Sequence, residues 1–154
     1  MRGFTLRAVP VYFVAFACGC FGKQDVQRTD GAPPSPTHAY WRQVSAVLAQ
    51  KPAGENIPAY VSLVRTQTDG LRDLPTDGVD ADLVSAVASV IKCEDVVLQR
   101  ADLIDNDPAR LKESKELAQA FSSANRAAAE SKKRLKALQP ALNSRHGGGF
   151  APMG

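Results

Sequence analysis

A chain of 154 residues, 44% apolar and 23% charged, can bury one hydrophobic core and is too short for two ordinary domains. Its formal charge of +3 includes Arg2 and Arg7 and falls to +1 without them, which removes the general basicity that nucleic-acid binding draws on. Two of the three cysteines, Cys18 and Cys20, lie near the start of the chain, so only Cys93 remains for the body and no disulfide framework follows.

The chain opens with Arg2 and Arg7, then the ten-residue apolar run 8–17, then Cys18-Gly19-Cys20. A basic start, a short greasy middle and a close of small residues form the layout of an export signal. As a helix the apolar run spans roughly 15 Å, half of a ~30 Å hydrocarbon core, and is too short for a permanent span. It is not extended downstream, because Lys23, Gln24 and Asp25 are polar. Nor does it read as a core helix with one apolar face, since Val9, Val11, Tyr12, Phe13, Val14 and Phe16 cover every side.

Ala17, Cys18 and Gly19, all small, precede Cys20. This close resembles the signal of bacterial lipoproteins, over residues 1–20 only. The resemblance implies that a cysteine, Cys20 or alternatively Cys18, receives lipid and becomes the new N-terminus, leaving the membrane as a partner through the anchor. Each buried acyl methylene is worth about 0.8 kcal/mol, and the several chains of such an anchor hold it durably. Plain secretion is the competing outcome, with Ala15-Phe16-Ala17 as an A-x-A processing site.

Residues 21–36 are polar, carry three of the chain's prolines and hold almost no core-forming side chain. Such a stretch cannot offset the entropy of ordering and is expected to be a disordered stalk, reaching roughly 40–50 Å when extended. The periodic part of the chain, residues 37–145, predicts an all-α fold: a small antiparallel bundle of three to four helices. The first helix covers residues 37–50, with Ser35 as cap and Pro36 at its first position. Its apolar face is Tyr40, Val44, Val47 and Leu48, with Trp41 at the edge and expected in the core. The second covers residues 58–72 with Ile57, Val61, Val64, Thr68 and Leu71 on one face; Gly70 weakens its last turn by about 1 kcal/mol.

The third helix, residues 81–105, carries the clearest pattern. Asp80 is its cap, and Leu83, Val87, Val90, Glu94, Val97, Ala101 and Ile104 recur every three or four residues. Val84, Ile91 and Leu98 widen the stripe, so this helix should touch two neighbours. The fourth opens at Asp107-Pro108 and ends at Pro140, with Leu117, Phe121, Ala124, Ala128, Ser131, Leu135 and Leu138 at the same spacing. The short turn between the two makes them an antiparallel hairpin, with the first two helices on its lower part. Residues 69–107 carry ten acids and residues 110–136 eight bases, a contrast that favours pairing of the two helices. Residues 146–154, glycine-rich and without period, are expected to be a disordered tail.

Catalytic, metal and cofactor motifs do not stand out. His38 and His146 flank the patterned region, no Glu-x-x-His motif accompanies Glu94, Glu113, Glu116 or Glu130, and neither a phosphate loop nor a dinucleotide fingerprint occurs. Glu94 interrupts an apolar stripe; it is expected to reach the rim or to pair with a base such as Lys132 or Arg126. Lys132, Lys133, Arg134 and Lys136 cluster at a helix end, either as a solvated terminus suited to the helix dipole or as contacts for an anionic envelope partner. Together these features point to an exported, lipid-anchored, non-catalytic interaction or structural module of the cell envelope, whose partner is an envelope protein or cell-wall polymer. A carrier of small apolar ligands is the alternative, and it requires an enclosed apolar cavity of hundreds of cubic ångströms.

Overall fold

In the computed structural model, which describes residues 34–104 and 108–154, regular structure begins where Ser35 caps a helix. The leader with Cys18 and Cys20, the stalk up to residue 33 and the turn at residues 105–107, including the expected cap Asp107, lie outside the described residues. Helix α1 is Pro36–Leu48; the Ser35 side chain accepts from the His38 N–H, and Pro36 takes the first turn, where its missing N–H is not needed. Helix α2, Ile57–Arg72, starts at Asn56, whose Oδ1 accepts from the Ala59 N–H at 2.8 Å. Helix α3, Ala81–Leu103, starts at Asp80, whose Oδ1 accepts from the N–H groups of Asp82 and Leu83. Then come α4 (Pro108–Glu113), α5 (Lys115–Lys136) and α6 (Gln139–His146). Among the described residues there is no strand, and the fold is all-α.

The long antiparallel pair of α3 and α5 is the spine, with α2 against α3 and α1 against α2. The start of α3 shares one apolar cluster with the end of α5, through Leu83, Val87, Val90 and Leu135, and α1 closes it with Tyr40, Trp41 and Val44. The end of α3 shares a second cluster with the start of α5, through Val97, Ala101, Phe121 and Ala124, joined by Val61 and Val64 of α2. The buried positions of α3 are Leu83, Val87, Val90, Glu94, Val97 and Ala101, followed by Ile104 at its end, the stripe its spacing predicts. Ala124 and Ala128 in α5 leave room for a close approach.

The structure departs from the sequence reading in two places. The predicted fourth helix is two segments, α4 and α5, and a further helix, α6, follows where it was expected to end. Ser114 is extended (φ −126°, ψ 109°) and its hydroxyl accepts from the Leu117 N–H, so it caps α5 instead of continuing α4. Pro140 has no N–H to offer the carbonyl of Lys136, four residues back, and α5 stops at Lys136. Proline does not end helical structure there, however; it occupies the first turn of α6. The second departure is the tail. His146 closes α6, Gly147 is left-handed at φ 78°, and residues 148–154 fold back with Phe150 and Met153 only 3% and 9% exposed. Glycines alone carry no core; two apolar anchors and a helix after Pro140 to dock on make this segment part of the bundle.

Leu83 is fully buried, whereas Val96 on the same helix is 37% exposed. Leu83→Ala is therefore expected to lower unfolding free energy by about 2–5 kcal/mol in a urea titration, and Val96→Ala by less than about 1 kcal/mol.

Candidate functional site

Between the two apolar clusters lies a polar layer. Glu94 sits at the centre of α3 with no exposed surface. Lys132 of α5 brings its Nζ to 2.6 Å from Glu94 Oε1, an ion pair whose angles fall outside those of a hydrogen bond. Thr68 of α2 holds its hydroxyl 3.0 Å from Glu94 Oε2 and 2.7 Å from the Val64 carbonyl, with one proton to share between two acceptors. Lys132 also donates to Gln67 Oε1 at 2.9 Å. The Gln67 amide nitrogen in turn faces the carbonyls of Leu48 and Gln50, at 3.4 and 3.3 Å, which closes the end of α1. One chain of polar contacts thus joins α1, α2, α5 and α3.

The layer reaches further through charge. Tyr60 donates to Asn125 Oδ1 at 2.8 Å, and its hydroxyl pKa is raised by burial and then by the negative charge of Glu94. Burial alone raises that of Tyr40. On the outer side of α2, Arg72 bonds Asp95 and Asp69, and the Asp95 bond first of all keeps its guanidinium pKa up.

A second constellation forms at the end of the bundle where α1, α3 and α6 meet. Asp80 Oδ2 accepts from His146 Nε2 at 3.0 Å, while Arg145 lies 3.4 Å from Asp80 Oδ1 and 2.7 Å from Asp82 Oδ2. The His146 hydrogen bond leads in holding the Asp80 carboxyl below the ordinary range, helped by the Leu83 and Asp82 N–H groups and by Arg145. The two histidines that flank the pattern in sequence converge here, with ring centroids 6.5 Å apart, and both face Phe150. His38 Nε2 donates to the Gly148 carbonyl at 2.7 Å; because a carbonyl only accepts, this nitrogen carries the proton, and Nδ1 at 2.7 Å from Ser35 Oγ accepts in the neutral ring.

A surface groove of about 520 Å³ runs between α3 and α5, lined by Ser89, Cys93 and Ser131 and by the charged Asp82, Glu130 and Arg134. Cys93 is a free thiol, half-buried at the groove. Among the described residues no group of three or more metal-ligating side chains is gathered, and no helix is long and apolar enough to cross a membrane.

The structure separates the basic residues that cluster in sequence. Lys132 turns inward to Glu94, and Lys136 Nζ donates to the Gly154 carbonyl. Lys133 and Arg134 stay exposed, the latter 3.8 Å from Glu130. Of the two bases expected near Glu94, Lys132 is the one in contact, and Glu94 lies in the core and not at its rim. Trp41, at the edge of the α1 face but expected in the core, is buried in the main cluster. Sequence reasoning missed Gln67, which lies on the buried face of α2 beside Thr68, and it missed Asn143 and Gln139, which hold the folded-back segment. Spacing of three from Val64 and four to Leu71 was the available signal for Gln67.

No family model matches this chain, and neither a curated protein nor a solved structure matches it significantly.

Thr68→Val keeps shape and removes the hydroxyl from a buried carboxylate oxygen; it is expected to lower unfolding free energy by about 1–3 kcal/mol, read by chemical denaturation. Asp80, with its pKa depressed in the fold, stabilises the native state fully above the ordinary carboxylate pKa, and that contribution disappears as pH falls through its folded value. The stability gap between the native chain and Asp80→Asn is therefore expected to persist from neutral pH down to about pH 4 and to close below it, measured by thermal unfolding across pH.

Proposed function

We propose that this protein is exported, anchored to a membrane by lipid at Cys20, and serves as a non-catalytic interaction module of the cell envelope. The observation that carries the reading is the order of features in the chain: a basic, apolar, small-residue leader closing on Cys20, a polar proline-bearing stretch, and then one helical bundle. The stretch after Cys20 supplies reach between an anchor and a domain.

The arrangement of polar groups supports a binding role over a chemical one. Glu94 and Lys132 hold each other, His38 holds a main-chain carbonyl, and His146 holds Asp80. Each of these groups has a structural partner inside the fold. The groove between α3 and α5 opens to the surface and is lined in part by charged side chains, which favours an interaction module over a carrier of apolar ligands. Lys133 and Arg134 remain available to an anionic envelope partner such as a cell-wall polymer.

Metabolic labelling with a fatty acid in a bacterial host tests the anchor. Label is expected in the native chain and in Cys18→Ala, and its loss is expected in Cys20→Ala. An unlabelled native chain would overturn lipidation, and recovery of the chain from the cytoplasm with Met1 intact would overturn export.

A further inference from the structure

Residues 148–153 are held on the bundle as a protein holds a bound peptide. They have no regular secondary structure, and their main chain is gripped by side chains of two helices. Asn143 of α6 brackets Phe150: its Oδ1 accepts from the Phe150 N–H at 3.0 Å, and its Nδ2 faces the Phe150 carbonyl at 3.4 Å. Gln139 Nε2 donates to the same carbonyl at 2.6 Å. From α1, Trp41 Nε1 donates to the Ala151 carbonyl at 2.9 Å, and His38 Nε2 donates to that of Gly148. The Phe150 ring stacks on His38 with centroids 4.1 Å apart and meets Trp41 edge-on at 5.8 Å.

This division of labour is that of peptide recognition. Amide and indole groups on rigid helices read an extended main chain whatever its sequence, and an apolar slot selects one aromatic side chain. A run of glycines joins the segment to α6. Gly147, Gly148 and Gly149 stand at φ of 78°, 91° and 91°, a left-handed run that residues with a Cβ rarely adopt. A Cβ at Gly149 would lie 3.2 Å from His38 Nε2, so the glycine also permits the close seat of the strap. The three glycines lie outside α6, whose last turn is capped by the Gly147 and Gly148 N–H groups on the Asn143 carbonyl, so the anchors belong to a segment separate from the helix.

We propose that the cleft between α1 and α6 is a peptide-binding site, occupied in cis by Phe150 and Met153, whose ligand in trans is an extended segment of a partner protein carrying an aromatic residue followed three positions later by a flexible apolar one. Phe150-Ala151-Pro152-Met153 is the bound sequence that defines this chemistry. The strap keeps the aromatic slot covered until a better-matched segment displaces it. The proposal deepens the interaction-module reading and takes its biological sense from it. The binding itself is measured on purified protein, so it fails or holds independently of lipidation and export.

Trp41 is the only tryptophan of the chain and touches the strap, so its emission reports occupancy. The full chain carrying Phe150→Ala and Met153→Ala is titrated with the blocked peptide Gly-Gly-Phe-Ala-Pro-Met. A red-shifted emission in the double variant, reversed saturably by the peptide, is expected, with affinity weakened at least about tenfold when the peptide's Phe is Ala. A helical double variant whose emission does not respond to millimolar peptide would overturn the site, as would equal binding of the Phe-less peptide. Should the double variant not fold, a full chain with a protease site inserted between Gly148 and Gly149 is cut after folding and diluted. Release of the strap with a red shift, restored by added peptide, supports the site; an unchanged emission, or one that added peptide does not restore, contradicts it.

Discussion

A carboxylate with no exposed surface dictates how this bundle is assembled. Moving Glu94 out of water is penalised by several kcal/mol unless a counter-charge and donors meet it inside. Those partners come from other helices: Lys132 from α5 and Thr68 from α2. Lys132 then engages Gln67, and Gln67 faces the last carbonyls of α1. Sliding α2 by one turn, about 5.4 Å, would take Thr68 from the carboxylate, sliding α5 would take Lys132, and sliding α3 would take both. The Val, Leu and Ala contacts above and below the layer supply most of the apolar burial but tolerate small shifts. The layer specifies which arrangement that burial stabilises; an equivalent apolar layer would hold the helices together as well or better with less selectivity.

The layer also divides the molecule into unlike ends. On one side, α2, α3 and α5 pack around Val61, Val97 and Phe121 with small residues between them. On the other, α1 and α6 are added, and with them Trp41, Leu142, Phe150 and Met153. The second end is also where Asp80, the cap of α3, is tied to His146 and Arg145 of α6. Helix α6 therefore has two tasks. It locks the start of α3 through charge, and it presents Asn143 and Gln139 to the strap. The polar anchoring of α6 on Asp80 gives the cleft one rigid wall, and burial of Trp41 and Val44 in α1 gives it the other.

Much of this was legible in the sequence, for identifiable reasons. The α3 stripe was readable position by position because an amphipathic helix facing two neighbours must repeat every three and four residues, and because Asp80 caps it unambiguously. Ser35 and Pro36 marked the start of α1 in the same way. Glu94 was visible as an exception to its stripe, and Lys132 as a base at the matching level of the antiparallel partner. The features that escaped have a common cause. Ser114 and Pro140 are residues whose structural role depends on the chain downstream of them: serine inside a helix and serine capping one look alike, and proline stops one helix as readily as it starts another. Reading Pro140 as a stop hid α6, and without α6 the closing glycines had nothing to dock on. Phe150 and Met153 obey no period at all; their burial is a tertiary fact, created by a cleft that two distant helices make together.

A double-mutant cycle on Glu94 and Lys132 in the full chain, read by urea unfolding at neutral pH, tests the central claim most directly. Lys132→Met strands a buried carboxylate and is expected to lower unfolding free energy by about 3–5 kcal/mol. Combined with Glu94→Leu it should recover most of that loss, giving a coupling above about 1 kcal/mol. Effects that add to within about 0.5 kcal/mol would show that the two side chains do not depend on each other, and the layer would lose its role in setting the helices.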